Sequence, residues 1–273
     1  MITKVCGIYF SATGNTKKIT ETIAARLAKA LGCPVEMQDF TAPAARNEVK
    51  EFPAGTLVVV GSPTYAGKLP NKILPDFQTK LKGNGTPAVA AVTFGNRSFD
   101  NSLAELVSVL TAGGFLPVAG AAFACRHAFS DLLAGGRPSA EDLAAAETFA
   151  DRAAALAEKA SALPALAVAG DAAAPYYVPK GTDGQPAKFL KAKPLTDMAK
   201  CTKCGKCVPL CPVGSIDPQD VSNVPGICIK CQACVRGCPE HAKYFDDAAF
   251  LSHVAMLEQN FTAPKENAFF YAE

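Results

Sequence analysis

Val5-Cys-Gly-Ile-Tyr-Phe-Ser-Ala-Thr-Gly-Asn-Thr16 is an apolar run that breaks into a short loop of hydroxyls and glycine. A helical pattern follows over 16–31. A loop joining strand to helix turns backbone N–H groups and the positive end of the helix dipole towards a ligand. The Walker ending G-K-[ST] is missing, and so is the dinucleotide pattern G-x-G-x-x-G. Ser11, Ala12, Thr13, Gly14, Asn15 and Thr16 therefore read as a cradle for a phosphate monoester, held mainly by neutral donors.

Working outward, buried-strand runs stand at 4–10, 56–61, 87–94 and 116–125, with a less apolar one at 34–40. Helical patterns fall between them at 16–31, 70–82, 98–112 and 139–160, with a weaker one at 43–51. Strands alternating with helices build a parallel sheet covered on both faces. Residues 1–160 are thus expected to form one α/β domain, a doubly wound five-stranded parallel sheet. Ligands in such sheets sit beyond the carboxyl ends of the strands. The third strand ends in Gly61-Ser-Pro-Thr-Tyr-Ala-Gly-Lys68 and the fourth in Thr93-Phe-Gly-Asn-Arg-Ser-Phe-Asp100, both on that edge. Cys125-Arg126-His127 ends the fifth. Cys6, Cys33 and Cys125 read as core thiols, and His127 as a candidate contact to a ligand or a docked domain.

Residues 161–195, punctuated by proline and glycine, read as a linker. Tyr176, Tyr177 and Phe189 make it too aromatic for a free tether, so it is expected to lie along the first domain. In 196–247, Cys201-Thr-Lys-Cys-Gly-Lys-Cys-Val-Pro-Leu-Cys-Pro212 recurs 27 residues later as Cys228-Ile-Lys-Cys-Gln-Ala-Cys-Val-Arg-Gly-Cys-Pro239. Each copy is C-x2-C-x2-C-x3-C-P. The two-residue gaps wrap three thiolates around one iron–sulfur cube, and the fourth cysteine, turned away by its proline, ligates the other. One 4Fe-4S cluster is then assigned to Cys201, Cys204, Cys207 and Cys238, and a second to Cys211, Cys228, Cys231 and Cys234. A pair of zinc sites would not need the third cysteine or the Cys-Pro ending. Ile216 and Tyr244 are expected to pack against the clusters. Lys200, Lys203, Lys206 and Lys230 form a candidate docking patch for an acidic redox partner. The tail, 248–273, reads as a closing helix on Phe250, Leu251, Val254 and Leu257, with His253 at the surface.

The cysteine repeat resembles the bacterial two-cluster ferredoxins, small α+β domains, which implies low-potential one-electron transfer. The Ser11–Thr16 loop resembles the FMN-phosphate loop of flavodoxins. That resemblance implies flavin contacts from Pro63, Thr64, Tyr65, Ala66 and Gly67, with Tyr65 stacking and Gly67 freeing a carbonyl to face N5. It likewise implies contacts from Phe94, Gly95, Asn96, Arg97, Ser98 and Phe99. The whole arrangement resembles a family of single-chain flavodoxin–ferredoxin fusions, found mostly in anaerobes.

Of 273 residues, 49% are hydrophobic and 19% charged, as in a globular protein, and the net charge of +2 gives no electrostatic case for nucleic acid binding. No stretch approaches the roughly 20 apolar residues of a membrane helix, and no signal-peptide pattern precedes the first strand. Eight of the eleven cysteines crowd into 38 residues, which favours metal binding over disulfides. A cytoplasmic electron carrier exchanging electrons with redox partner proteins is the leading expectation. The alternative is an FMN-dependent reductase of a small molecule, an oxidoreductase in which the clusters feed the flavin.

Overall fold

In the computed structural model, which describes all 273 residues, the alternating pattern becomes a layered α/β domain with a cluster domain seated on its ligand edge. The strands are β1 (Lys4–Tyr9), β2 (Val35–Asp39), β3 (Lys50–Phe52), β4 (Thr56–Pro63), β5 (Leu81–Gly83), β6 (Thr86–Phe94) and β7 (Phe115–Ala124). The helices are α1 (Asn15–Leu31), α2 (Leu74–Lys80), α3 (Ser102–Ala112) and α4 (Ala140–Ala157). β2, β1, β4, β6 and β7 lie side by side, all parallel, and β3 and β5 form a separate parallel pair. All nine residues of β6 are buried, as a central strand covered on both faces must be.

Each face has its own core. α1 offers Ile19, Ile23, Ala24 and Leu27, spaced three and four apart, to Phe149, Ala150 and Ala153 of α4. On the other face Leu103, Leu106 and Leu110 of α3 pack with Phe77 of α2 and the aromatic side chains Phe10, Phe40 and Phe94. α1 stops at Gly32, a left-handed residue at φ 66° whose N–H caps the carbonyls of Ala28 and Lys29. α4 starts on a capping box between Ser139 and Asp142.

The expected helix over 98–112 starts only at Ser102, because Ser98 and Asn101 spend their side chains on loop N–H groups. The segment 43–51 is one 3-10 turn followed by β3.

The cluster domain contains β8 (Leu195–Thr196), α5 (Cys207–Leu210), α6 (Ala233–Arg236) and β9 (Lys243–Tyr244), with β8 antiparallel to β9. Its own core is only Ile216, Val221, Val224 and Cys234, too little to hold about 50 residues without metal staples. Ile216 packs as expected. Tyr244 does not, being 41% exposed, because it lies on the outer side of the two-residue ladder, paired with Leu195.

The closing helix is α7 (Ala248–Asn260). It buries Phe250, His253 and Leu257, whereas Leu251 faces solvent, so the surface placement expected of His253 is corrected. His253 is 5% exposed and stacks on Phe189 of the linker. Beyond α7 the chain crosses back and adds β10 (Ala268–Tyr271), antiparallel to β7. The expected five-stranded parallel sheet is thus extended to six strands. Alternate β10 side chains serve both cores: Phe269 and Tyr271 meet Phe149, while Ala268 and Phe270 pack on the opposite face.

The linker lies along the first domain as expected. Lys68 and Glu105, each 8% exposed, form a buried ion pair at 3.0 Å. Lys68 also donates to the carbonyls of Ala172 and Ala174, and Leu69 N–H donates to Glu105. These bonds satisfy the charges that burial would otherwise penalise.

Candidate functional site: a flavin-type cavity walled by a cysteine loop

At the carboxyl edge of the sheet, Gly14 adopts φ 95° and starts α1 with no side-chain cap. The backbone N–H groups of Ala12 through Thr16 have no acceptor within the chain. Five donors opening together at a helix N-terminus suit a dianionic phosphate. The hydroxyls are mostly engaged elsewhere: Ser11 accepts from Lys17 N–H, and Thr16 shares a buried 2.7 Å hydrogen bond with Thr93. Asn15 donates to the Arg126 carbonyl. Backbone amides, more than hydroxyls, make this cradle.

The cradle opens into a half-open cavity of about 220 Å³. Its wall takes Ala12, Thr13, Asn15 and Thr16 from the loop, Pro63 through Gly67 from the end of β4, and Phe94, Gly95, Arg97 and Ser98 from the end of β6. Ser11, Gly14, Asn96 and Phe99 lie outside this wall. Ala66 and Gly67 sit at φ 48° and 78° in a tight turn closed by Tyr65 N–H to Lys68 O, 2.8 Å. A Cβ on Gly67 would come within 2.4 Å of Asp100. The carbonyl of Gly67 accepts from Asn101 N–H, and that of Ala66 from Tyr177 N–H. Arg97 pairs with Asp100 and lies 4.0 Å over the Tyr177 ring. Asn96, fully buried, clasps the returning tail: its amide donates to Phe261 O and Ala263 O and accepts from Lys265 N–H.

The rest of the wall comes from Cys125 through Phe129, from Tyr177, Pro179 and Phe189 of the linker, from Ile229 and Lys230, and from His253 and Leu257. Sequence reasoning missed most of these; Arg126 meets the loop through its carbonyl, which accepts from Asn15, and its guanidinium pairs with Asp131 at 3.5 Å. Ile229 and Lys230 belong to the loop between Cys228 and Cys231, so the second cysteine repeat is part of the cavity wall. Ile229 and Val213 pack into the same core as Tyr65 and Phe99. Burial, reinforced by the Cys231 and Cys228 thiolates, pushes the Tyr65 phenol well above its ordinary value.

His127 accepts from Phe129 N–H at Nδ1, which leaves the proton on Nε2 of the neutral ring. Burial, with His253, Arg236 and Arg97 adding repulsion, lowers its pKa to about 4. His253 keeps Nδ1 on the Lys180 carbonyl at 2.8 Å. Burial pushes the Cys125 thiol up to about 12, the behaviour of an inert core cysteine.

Two further cavities separate the cysteines. One is lined by Cys201, Cys204, Cys207 and Cys238. The other is lined by Cys211, Cys228, Cys231 and Cys234. These are the two sets expected from the swapped fourth cysteine. The two repeats also share a backbone shape: Lys203 and Lys230 are both at φ 57°, and Gly205 and Gln232 at 73° and 65°. Ser215 N–H donates to Cys211 Sγ at 3.2 Å, and its counterpart Ala242 N–H to Cys238 Sγ at 3.3 Å. Amide donors on a cluster-ligating sulfur tune the reduction potential. No three His, Cys, Asp or Glu side chains converge on a single metal ion. Cys204 is exposed, whereas Cys231 and Cys234 are buried.

Residues 8–95 match a flavodoxin domain family, and residues 194–217 and 225–245 each match a 4Fe-4S binding domain family. Similar solved structures include the rubredoxin oxygen:oxidoreductase of Desulfovibrio gigas at 20% identity, covering 58% of this chain and 37% of that one, with TM-score 0.38. A flavodoxin from the domain Archaea is 16% identical, covering 58% of this chain and 99% of its own, with TM-score 0.37. Flavodoxin 2 from Bacillus cereus is 20% identical, covering 57% and 99%, with TM-score 0.40. This chain thus spans little more than a third of the oxidoreductase. No curated protein sequence matches it. The matched domains make FMN and two 4Fe-4S clusters the cofactors of this chain, in the order of a flavodoxin–ferredoxin fusion, and give it an electron-transfer role. No helix is long and apolar enough to cross a membrane.

Proposed function

We propose that this flavodoxin–ferredoxin fusion is an internal electron wire, running from FMN to the cluster on Cys211, Cys228, Cys231 and Cys234, and from there to the cluster on Cys201, Cys204, Cys207 and Cys238. Its cluster domain exchanges electrons with another redox protein. FMN supplies a two-electron carrier and each cluster a one-electron carrier, so pairs of electrons can be split or gathered singly.

One observation carries this reading: Ile229 and Lys230, which connect two cysteines of the second set, are themselves part of the flavin-type cavity wall. The Ala12–Thr16 amides hold the phosphate. Tyr65 and the Pro63–Gly67 turn position the ring. Ile229, Phe129, Phe189 and His253 exclude water between ring and cluster. His127, neutral with its proton on Nε2, offers a hydrogen bond into the cavity without adding charge.

Reduction of a small molecule has less support. Side chains of the linker, the Cys228–Cys231 loop and α7 line the cavity on the side where a substrate would approach the ring. Anaerobically purified protein should contain eight irons and one FMN under this reading. Reducing it by rapid mixing and following flavin and cluster absorbance should show internal equilibration independent of protein concentration. Concentration-dependent equilibration would sink the wire, and fast flavin reoxidation by a small organic acceptor would favour the reductase.

A further inference from the structure

Beside the second cysteine loop, a groove of about 270 Å³ runs between Leu190–Lys193, at the end of the linker, and Pro225–Cys228. Its two large apolar side chains are unusually bare, Leu190 at 90% exposure and Ile227 at 60%. No carboxylate lines it. The stretch 188–193 carries Lys188, Lys191 and Lys193, and the nearest carboxylates in sequence, Asp183, Asp197, Asp220 and Glu240, lie outside the groove lining. Two lysines brace the groove. Lys193 Nζ donates to Val224 O at 2.7 Å and to Pro225 O, while Lys230 Nζ reaches the carbonyls of Leu190 and Cys228. Lys188 and Lys191 remain exposed, outside every ion pair of the chain.

An apolar centre with a mainly basic rim has the form of a transient docking site, where the charge steers encounter and the apolar contact fixes register. The surface near the other cluster site lacks that uniformity. There Lys206 and Glu240 share one cavity wall, and Lys200 pairs with Asp197 at 3.2 Å. Cys228 lines both this groove and the second cysteine cavity.

Resting on the electron-wire reading, we propose that this groove is the docking surface for an acidic one-electron carrier protein. Lys188 and Lys191 meet its carboxylates, and Leu190 and Ile227 enter its apolar patch. The electron crosses on the Cys228 side. The cluster loses or gains one electron, the partner gains or loses the same one, and no bond or proton moves.

The test uses full-length protein carrying FMN and both clusters, reduced anaerobically and mixed with an acidic b-type cytochrome or a basic c-type cytochrome as acceptor. At low ionic strength the double variant Lys188→Glu/Lys191→Glu should reduce the acidic cytochrome about tenfold more slowly, and the basic one faster. Leu190→Ser should slow the acidic reaction even in high salt, where charge steering is screened. Lys200→Glu/Lys203→Glu, beside the other cluster site, should remain within about twofold of the parent. Iron and flavin contents matching the parent certify folding. If the loss instead follows Lys200 and Lys203, or neither pair matters while transfer remains fast, the docking assignment is overturned and the wire stands. Absence of flavin–cluster equilibration inside the parent protein would overturn the wire itself.

Discussion

Arg236, on α6 between two cluster cysteines, fastens the cluster domain to the cavity wall, while Arg46 Nη2 holds the Pro212 carbonyl at 2.6 Å elsewhere on the contact. Arg236 Nε donates to Ala128 O at 2.7 Å, Nη2 to His127 O at 3.1 Å, and Nη1 to Asp131 at 2.8 Å. The arginine side chain is 20% exposed and that of Asp131 70%. A charged donor on a neutral carbonyl contributes about 1.5–3 kcal/mol, and partial exposure puts both bonds at the low end. The Asp131 link adds no more than about 0.5 kcal/mol in solvent. Arg236→Met should therefore weaken docking by about 3 kcal/mol, or roughly a hundredfold in the opening equilibrium. Hydrogen exchange reads this directly. The His127 and Phe129 amides should exchange about a hundredfold faster, while those of β6 do not change. Arg236→Lys keeps the charge but not the fork, and should give about tenfold. Equal acceleration in β6 would mean that Arg236 supports global stability and not docking. Unchanged exchange at His127 and Phe129 would refute the clamp outright.

Cys238→Ser should damage the cluster on Cys201, Cys204 and Cys207, and Cys211→Ser the one on Cys228, Cys231 and Cys234; iron and sulfide counts with electron paramagnetic resonance tell which signal is lost, and the reverse pairing would refute the swap. Gly14→Ala meets no atom within 4 Å but must hold φ 95°. That strain costs about 1–2 kcal/mol, so FMN should bind about tenfold more weakly in fluorescence titration while riboflavin, lacking the phosphate, binds as before. His127 is held at a pKa of about 4, below its unfolded value of 6.5. The unfolded chain takes up the proton first, so this contribution is complete above pH 6.5 and is lost as pH falls towards 4. Between pH 7.5 and 5.5 denaturant melts should show a loss of about 1.4 kcal/mol that His127→Gln abolishes; an identical pH slope in the variant would remove His127 from the account.

What the sequence made legible was local. The cysteine repeat states its own spacing, and the two cavities divide the eight thiols as that spacing demands. The Ser11–Thr16 loop and the five parallel strands follow from periodicity and from one break between strand and helix. Long-range partners were not legible. Asn96 occurs in a loop that resembles a flavin contact, yet its side chain holds Phe261 and Ala263, some 165 residues away. β10 is four residues long, too short for a period to register, and its aromatic side chains acquire meaning only against the alanine-rich surface of β7. His253 stands three residues after Phe250 and four before Leu257, on the buried stripe of α7, and Phe189 and the Lys180 carbonyl from the linker supply the partners that its own helix does not show.

Those long-range contacts change the physical account of the fusion. A flexible linker would act by raising the effective concentration of one domain near the other. Here the linker is pinned by Lys68, Tyr176 and Tyr177, and the chain beyond the clusters returns to the sheet as β10. The cluster domain is therefore tied to the first domain at both of its ends, with Arg236 and the Asn96 clasp between the ties. Docking is then part of the fold, and on the electron-wire reading it would hold ring and cluster at one separation. The same contacts place linker, cysteine loop and α7 side chains in the cavity wall. On the electron-wire reading, exchange with other proteins has moved from the flavin to the surface of the cluster domain. Lengthening the linker should therefore leave the internal rate unchanged, whereas deleting residues 261–273, which removes the clasp and β10 together, should slow it.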